Sequence, residues 1–209
     1  MKMEIKRLSK SDPEYPAALS RYLANDAPDS AAAIGNLQIL NRRKLAIFCS
    51  TMCPASLTQQ IDDLMRKLVA DGVPTIGGFH SPVERQCLGI LLAGIQPIIL
   101  APARSLDRLR IRLEYREGID KGRLLILSLF KSHRHRSDVE MAFRRNRFVA
   151  AVADNILIPH AAASSNTERL CRELISWQKP VYTIDNEINE NLIRLGAQVI
   201  TLDNVNKLI

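Results

Sequence analysis

The chain has 209 residues, 46% hydrophobic and 24% charged, which is long enough for one sizeable domain and too apolar for a disordered chain. Lys and Arg number 29 against 22 Asp and Glu, a formal net charge of +7, and the segment from Arg104 to Arg147 holds 13 basic and 6 acidic residues, so the remainder is neutral. A surplus confined to one central segment points to a localised polyanionic partner such as nucleic acid ahead of a membrane surface, and no apolar run approaches the roughly 20 residues of a membrane span.

Residues 1–40 are polar and contain Pro13, Pro16 and Pro28; they are expected to form a short helical or irregular extension packed on a main domain over residues 41–209. The N-terminus lacks the apolar core of a signal peptide. Cys49, Cys53, Cys87 and Cys171 do not form a disulfide pattern in a chain of this length. A cytoplasmic location with reduced thiols is therefore expected.

From residue 44 onward, short apolar runs alternate with helical patterns. "KLAIFCS" (44–50) precedes a helix in which Leu57, Ile61, Leu64 and Leu68 recur at helical spacing, with Ser56 as N-cap and Gly72 as stop. "VPTIGGF" (73–79) precedes a helix through "VERQCLGILLAG". "PIILAP" (97–102) precedes a basic helix from about Asp107 to Asp120. "RLLILSLF" (123–130) leads into a helix carrying Arg144, Arg145 and Arg147. "NILIPHA" (155–161) precedes a helix from Asn166 to Trp177, and "PVYTID" (180–185) precedes "NEINENLIRLG" before "QVITL" (198–202) closes the chain's apolar runs. Runs that are apolar throughout, without alternation, belong to strands covered on both faces. The pattern predicts a Rossmann-like, doubly wound, mainly parallel sheet with helices on both faces.

In such a sheet ligands lie beyond the carboxyl ends of the strands. That rule selects Ser50 and Thr51, Gly77 and Gly78 with His80, Arg104, Lys131 with His133 and Arg134, His160, and the run Ser164, Ser165, Asn166 and Thr167. Small residues let backbone N–H groups approach an anion, and a helix N-terminus adds partial positive charge. Arg144 and Arg147 are three apart and share a helix face, which the apolar Phe148, Val149 and Val152 would bring to the ligand edge; Arg145 points elsewhere. Phe79 and Phe130 follow strands and are candidates for base stacking. Cys49, Cys53 and His80 could converge on a metal, but a lone C-x3-C is a weak signal, and neither metal nor cofactor is expected. A full G-x-G-x-x-G after the first strand and a phosphate-loop lysine motif are both missing.

Several of these pieces, in order, resemble the DNA-processing protein family DprA/Smf. "AFRRNRFVAAVAD" resembles its F-P-x-R-N-R-I-I-A/S-G-L-S/A signature. Tyr15–Pro16 and Gly35–Asn36 resemble its lead-in. "TIGGFHSPVE" stands in place of S-G-x-A-x-G-I-D, with Gly78 kept and Glu84 where an acid is usual. "RSLDRL" stands where G-L-D is expected, "SNT" (165–167) where S-G-S/T opens a helix, and "NLIRLGAQVI" resembles the ending N-x-L-I-x-x-G-A. The resemblance runs from about residue 15 to 202. It implies a Rossmann-like domain that binds single-stranded DNA, helps load the RecA recombinase during recombination or DNA uptake, usually dimerises, and carries no catalysis. It places the basic pocket on Arg144, Arg145, Arg147 and Lys131, with His133 and Arg134 lining the same loop.

There are departures. The first strand ends Cys49-Ser50-Thr51 where the family has G-S-R, and the second loop reads His80-Ser81-Pro82. A helical sterile-alpha-motif domain before the fold and a winged helix after it are missing, so a divergent, standalone member is expected. The alternative is a small-nucleotide sensor or hydrolase of the phosphoribohydrolase-like Rossmann group. Its P-G-G-x-G-T-x-x-E signature is not found, with only Thr167-Glu168 resembling its end.

Overall fold

The computed structural model describes residues 4–131 and 138–208. The apolar runs form seven short parallel strands: β3 (Leu45–Ile47), β4 (Thr75–Gly77), β5 (Ile98–Leu100), β6 (Leu124–Ser128), β7 (Asn155–Leu157), β8 (Val181–Ile184) and β9 (Gln198–Ile200). Two earlier strands, β1 (Lys6–Ser9) and β2 (Ser30–Gly35), complete one sheet in the order β1-β2-β6-β5-β4-β3-β7-β8-β9. From β3 the chain steps outward through β4 and β5 to β6. It then returns to the other side of β3 as β7 and steps outward again through β8 to β9. The reversal puts the topological switch point of the sheet between β3 and β7.

The helices are α1 (Ala18–Leu23), α2 (Thr58–Ala70), α3 (Pro82–Ala93), α4 (Leu113–Asp120), α5 (Val139–Val152), α6 (Asn166–Ser176) and α7 (Glu190–Leu195). Two apolar clusters flank the sheet. Leu19, Phe148, Val149, Leu170, Leu174 and Leu192 bring α1, α5, α6 and α7 onto one face. Ile61, Leu64, Leu68, Cys87, Leu88 and Leu91 bring α2 and α3 onto the other, with Tyr115 and Ile119 of α4 packed against them.

The first 40 residues are not simply a helical extension: besides α1 and two short helical turns, they add two antiparallel strands to the β6 edge. "SAAAIG" reads as helical by propensity, but Ala31, Ala32, Ala33 and Ile34 are buried beside β6, and burial on both faces overrides propensity. Gly35 ends β2 at φ +111°, in close contact with Leu124 of β6, where a Cβ would overlap the Leu124 carbonyl oxygen. Asn36 then caps the next turn and donates to the Gly122 carbonyl at 2.7 Å.

The basic helix expected from Asp107 begins only at Leu113. Residues 101–112 run irregularly across the end of β5, where Ser105 accepts from the Asp107 N–H, Leu106 is buried, and Arg108 has φ +59°. These local bonds compete with a first helical turn.

Candidate nucleic-acid interface

Of the helices that begin at the carboxyl edge of the sheet, three are capped by a side chain accepting from the backbone N–H three residues on: Ser81 for α3, Asp138 for α5 and Ser165 for α6. Between these N-termini and the ends of β4 and β5 lies a crevice of about 590 Å³, lined by Thr51, Gly78, His80, Arg104, Phe143, Arg145, Asn146 and Asn166 among others.

Arg145 organises this crevice. It is 4% exposed, yet its guanidinium reaches from α5 to the strand exits, where Nη1 donates to the Ala101 carbonyl at 2.9 Å and Nε to Asn146 Oδ1 at 2.7 Å. The group lies flat on Gly78, and a Cβ there would overlap it. Nη2 has no hydrogen-bond partner among the described residues. Burial pulls the guanidinium's pKa below its ordinary value, and the nearby Glu84 carboxylate pushes it back.

Glu84, buried on the first turn of α3, accepts from the backbone N–H groups of Cys49 at 3.0 Å and His80 at 2.7 Å. One carboxylate thus clamps the exits of β3 and β4 and fixes the backbone under Arg145. Arg104, on the opposite wall, is half-buried, with its Nε unpartnered among the described residues. Arg104, Arg110 and Arg145 form no ion pair among those residues. A fixed guanidinium without a carboxylate of its own, beside a second one and a helix N-terminus at Asn166, is chemistry for a bound anion, phosphate above all.

The sequence profile of the family described as DNA recombination-mediator protein A matches residues 6–208. The chain belongs to that family. Among solved structures, DNA recombination-mediator protein A chains share its fold. DNA processing protein A from Streptococcus pneumoniae aligns with TM-score 0.80 at 20% identity, covering 97% of this chain and 73% of that one. The protein of the same name from Helicobacter pylori, whose structure concerns its single-stranded DNA binding mode, aligns with TM-score 0.79 at 22% identity, covering 99% and 96%. A molybdenum cofactor binding protein from the phototrophic bacterium Rippkaea orientalis is more distant, with TM-score 0.55 at 10% identity over 80% of this chain and 94% of that one. A comparison with curated proteins finds no match. Membership in the recombination-mediator family supports DNA processing over the nucleotide-hydrolase alternative.

Within this recombination-mediator fold, the sequence-selected residues divide. Thr51, Gly78, Arg104, Arg145 and Asn166 line the crevice together. Arg144 and Arg147 do share a face, as their spacing predicts, but it is the far one. Arg147 pairs with Asp26 at 2.8 Å and Glu173 at 2.7 Å and lies over the Trp177 ring, while Arg144 is exposed and close enough to Asp26 to lower its carboxyl pKa. The expectation is corrected: the arginine set apart from the other two is the one in the crevice. The reason is steric, because only the glycine at 78 leaves room for a guanidinium at the strand exits.

Ser50 and Ser165 bond each other at 3.1 Å, and the Ser50 hydroxyl also accepts from the Ala162 N–H, so both tie the β3 and β7 exits together and neither lines the crevice. Gly77 packs under the Phe79 ring. Thr167 and the exposed Lys131 lie outside the lining, and His133 and Arg134 fall outside the described residues. Phe130 is buried, and Phe79, though packed in the core, also lines the groove that adjoins the crevice. The residue passed over is Asn146, which orients Arg145; Phe143 lines the crevice beside it, its ring carrying Arg169 at 4.0 Å. Their common spacing with Val139 and Ala142 on one helix face was the available signal. Among the described residues no three His, Cys, Asp or Glu side chains converge as a metal-ligand set, and no helix is long and apolar enough to cross a membrane.

Proposed function

We propose that this chain binds single-stranded DNA through the crevice, with Arg145 and Arg104 taking backbone phosphate oxygens and the N-terminus of α6 adding its partial charge. The observation that carries this is the buried Arg145 guanidinium, laid on Gly78 with no ion pair among the described residues. The family and the H. pylori relative support the ligand class. The same reading makes RecA a partner, a homodimer the working form and the role non-catalytic. Sequence-tolerant binding follows, because contacts to backbone phosphates carry no sequence information.

The test is fluorescence anisotropy with a labelled oligodeoxynucleotide. Arg145→Lys keeps the charge and loses the planar fork, and Gly78→Ala displaces the fork without touching the arginine. Each is expected to weaken binding about tenfold or more, the size of a charge-assisted hydrogen bond of about 1.5–3 kcal/mol. Wild-type affinity in both variants would remove the crevice from the reading. Stabilisation by a mononucleotide with no oligonucleotide binding would replace it with the small-nucleotide alternative.

A further inference from the structure

The exit of β3 carries two thiols in one short segment. Cys49 follows the strand and is buried; Cys53, four positions on, is half-buried and packs on the apolar cluster that holds Leu57 and Cys87. Both are free thiols. The fold pins each end of the segment between them. The Cys49 N–H donates to Glu84 at 3.0 Å and the Ser50 N–H to the His160 carbonyl at 3.1 Å, while the buried Leu57 anchors the turn that follows Pro54. The exposed Thr51 and Met52 bend the chain between these anchors, and the bend returns Cys53 to Cys49, whose thiol donates a hydrogen bond to the Cys53 sulfur. We propose that Cys49 and Cys53 are a modification site, a dithiol that a two-electron oxidant of the hydroperoxide class converts to a disulfide within the chain.

The two sulfurs divide the chemistry. Cys53 is the one that solvent reaches, and the hydrogen bond from Cys49 holds its pKa below the ordinary 9.0, which favours the nucleophilic thiolate. That thiolate attacks a peroxide oxygen. The O–O bond breaks, and the departing hydroxide takes up the proton that Cys53 released, leaving water and a sulfenic acid on Cys53. The Cys49 sulfur, already in contact, then attacks the sulfenic sulfur; the S–O bond breaks and the hydroxyl leaves as water with the Cys49 proton. One hydrogen peroxide and two thiols thus give one disulfide and two waters. Cys87 and Cys171 are unsuited to either role, because both are buried and burial pushes their thiols up to about 12 and about 11. Thr51 lines the crevice, and Glu84 ties the Cys49 backbone to the exit of β4 under Arg145. Closing the bridge draws this segment inward, so oxidation weakens strand binding; that consequence, unlike the dithiol itself, rests on the single-strand reading above.

In the test, protein treated with hydrogen peroxide is alkylated without reduction, digested with trypsin and read by mass spectrometry. Wild type is expected to lose two of its four free thiols and to recover both in dithiothreitol. The tryptic peptide from Leu45 to Arg66, which holds both cysteines, should appear unalkylated and lighter by two hydrogens. Cys49→Ser is expected to stop at a Cys53 sulfenic acid that dimedone captures, and Cys53→Ser to keep all its remaining thiols. The variants change different residues, so misfolding of one leaves the other readable. A wild type that keeps every thiol, that oxidises Cys53 to the sulfinic acid with Cys49 still alkylated, or that bridges to a second copy on a non-reducing gel overturns the site. In fluorescence anisotropy the disulfide form is expected to bind the labelled oligodeoxynucleotide about threefold or more weakly, the scale of one lost hydrogen bond, and to recover on reduction. Equal affinity of the two forms removes the link to the crevice, and failure of the reduced protein to bind any oligonucleotide removes the single-strand reading while the bridge stands.

Discussion

At the scale of single residues, three arginines within four positions turn out to do two unrelated jobs. Spacing alone groups Arg144 with Arg147 and isolates Arg145, and that grouping holds. What spacing cannot supply is which face meets the ligand, because that depends on the absent Cβ at Gly78, 67 positions earlier in the chain. Arg147 is an interhelical tie: it joins α5 to the turn after α1 through Asp26 and to α6 through Glu173. Arg147→Ala is therefore expected to lower Tm by about 2–4 °C while leaving oligonucleotide affinity unchanged. The Arg147 guanidinium holds the Asp26 carboxyl below its ordinary value of 3.8, so this contribution is present above that pH and is lost as pH falls through the lower, folded-state pKa. Melts of the two proteins should accordingly converge in strong acid. A variant that loses DNA binding without losing stability would put Arg147 back in the site.

At the scale of elements, the seven parallel strands are legible as short apolar runs, six of them buried along their whole length and only the edge strand β9 partly exposed. β1 and β2 are not, since their residues are small or charged and gain strand character only from pairing along β6. The late start of α4 is equally hidden, being set by Ser105 and Leu106 in the loop before it. Helix α5 ends in a further feature that its own sequence does not announce. Lys179, just before β8, is buried and donates to the Ala151 and Ala153 carbonyls at the end of α5, with its ammonium 4.1 Å from the Tyr22 ring centroid. Burial pulls the pKa from 10.5 to about 8; the Asp154 carboxylate opposes this, while the Lys44 and Arg21 charges add to it. Between those two values the unfolded chain holds a proton that the folded chain has released, so folding stability should rise with pH across that window. Lys179→Met has no such group. Denaturant unfolding of the two proteins at several pH values should show wild type gaining on the variant from about 8 to 10.5, and parallel curves would show that Lys179 does not titrate there.

At the scale of the whole molecule, the central basic segment does not form one patch. The sheet distributes it: Arg104 and Arg145 face the crevice, Arg110 stands at the adjoining groove, Arg144 and Arg147 lie behind α5, and Arg116 and Lys121 are exposed on the α4 side. Charge counting along the sequence indicates an anionic partner but overstates how many cations can meet it at once. The salt dependence of binding measures that number directly, because each phosphate neutralised on a single strand contributes about 0.7 to the slope of log affinity against log salt. Three cations on one path, Arg104, Arg145 and Arg110, give a slope of about −2. Arg110→Ala should reduce its magnitude by about 0.7, while Arg144→Ala should leave it unchanged because that side chain faces Asp26 across the fold. A far steeper wild-type slope, falling equally with Arg144→Ala and Arg116→Ala, would mean that the strand wraps the basic surface at large and that the crevice is one contact among many.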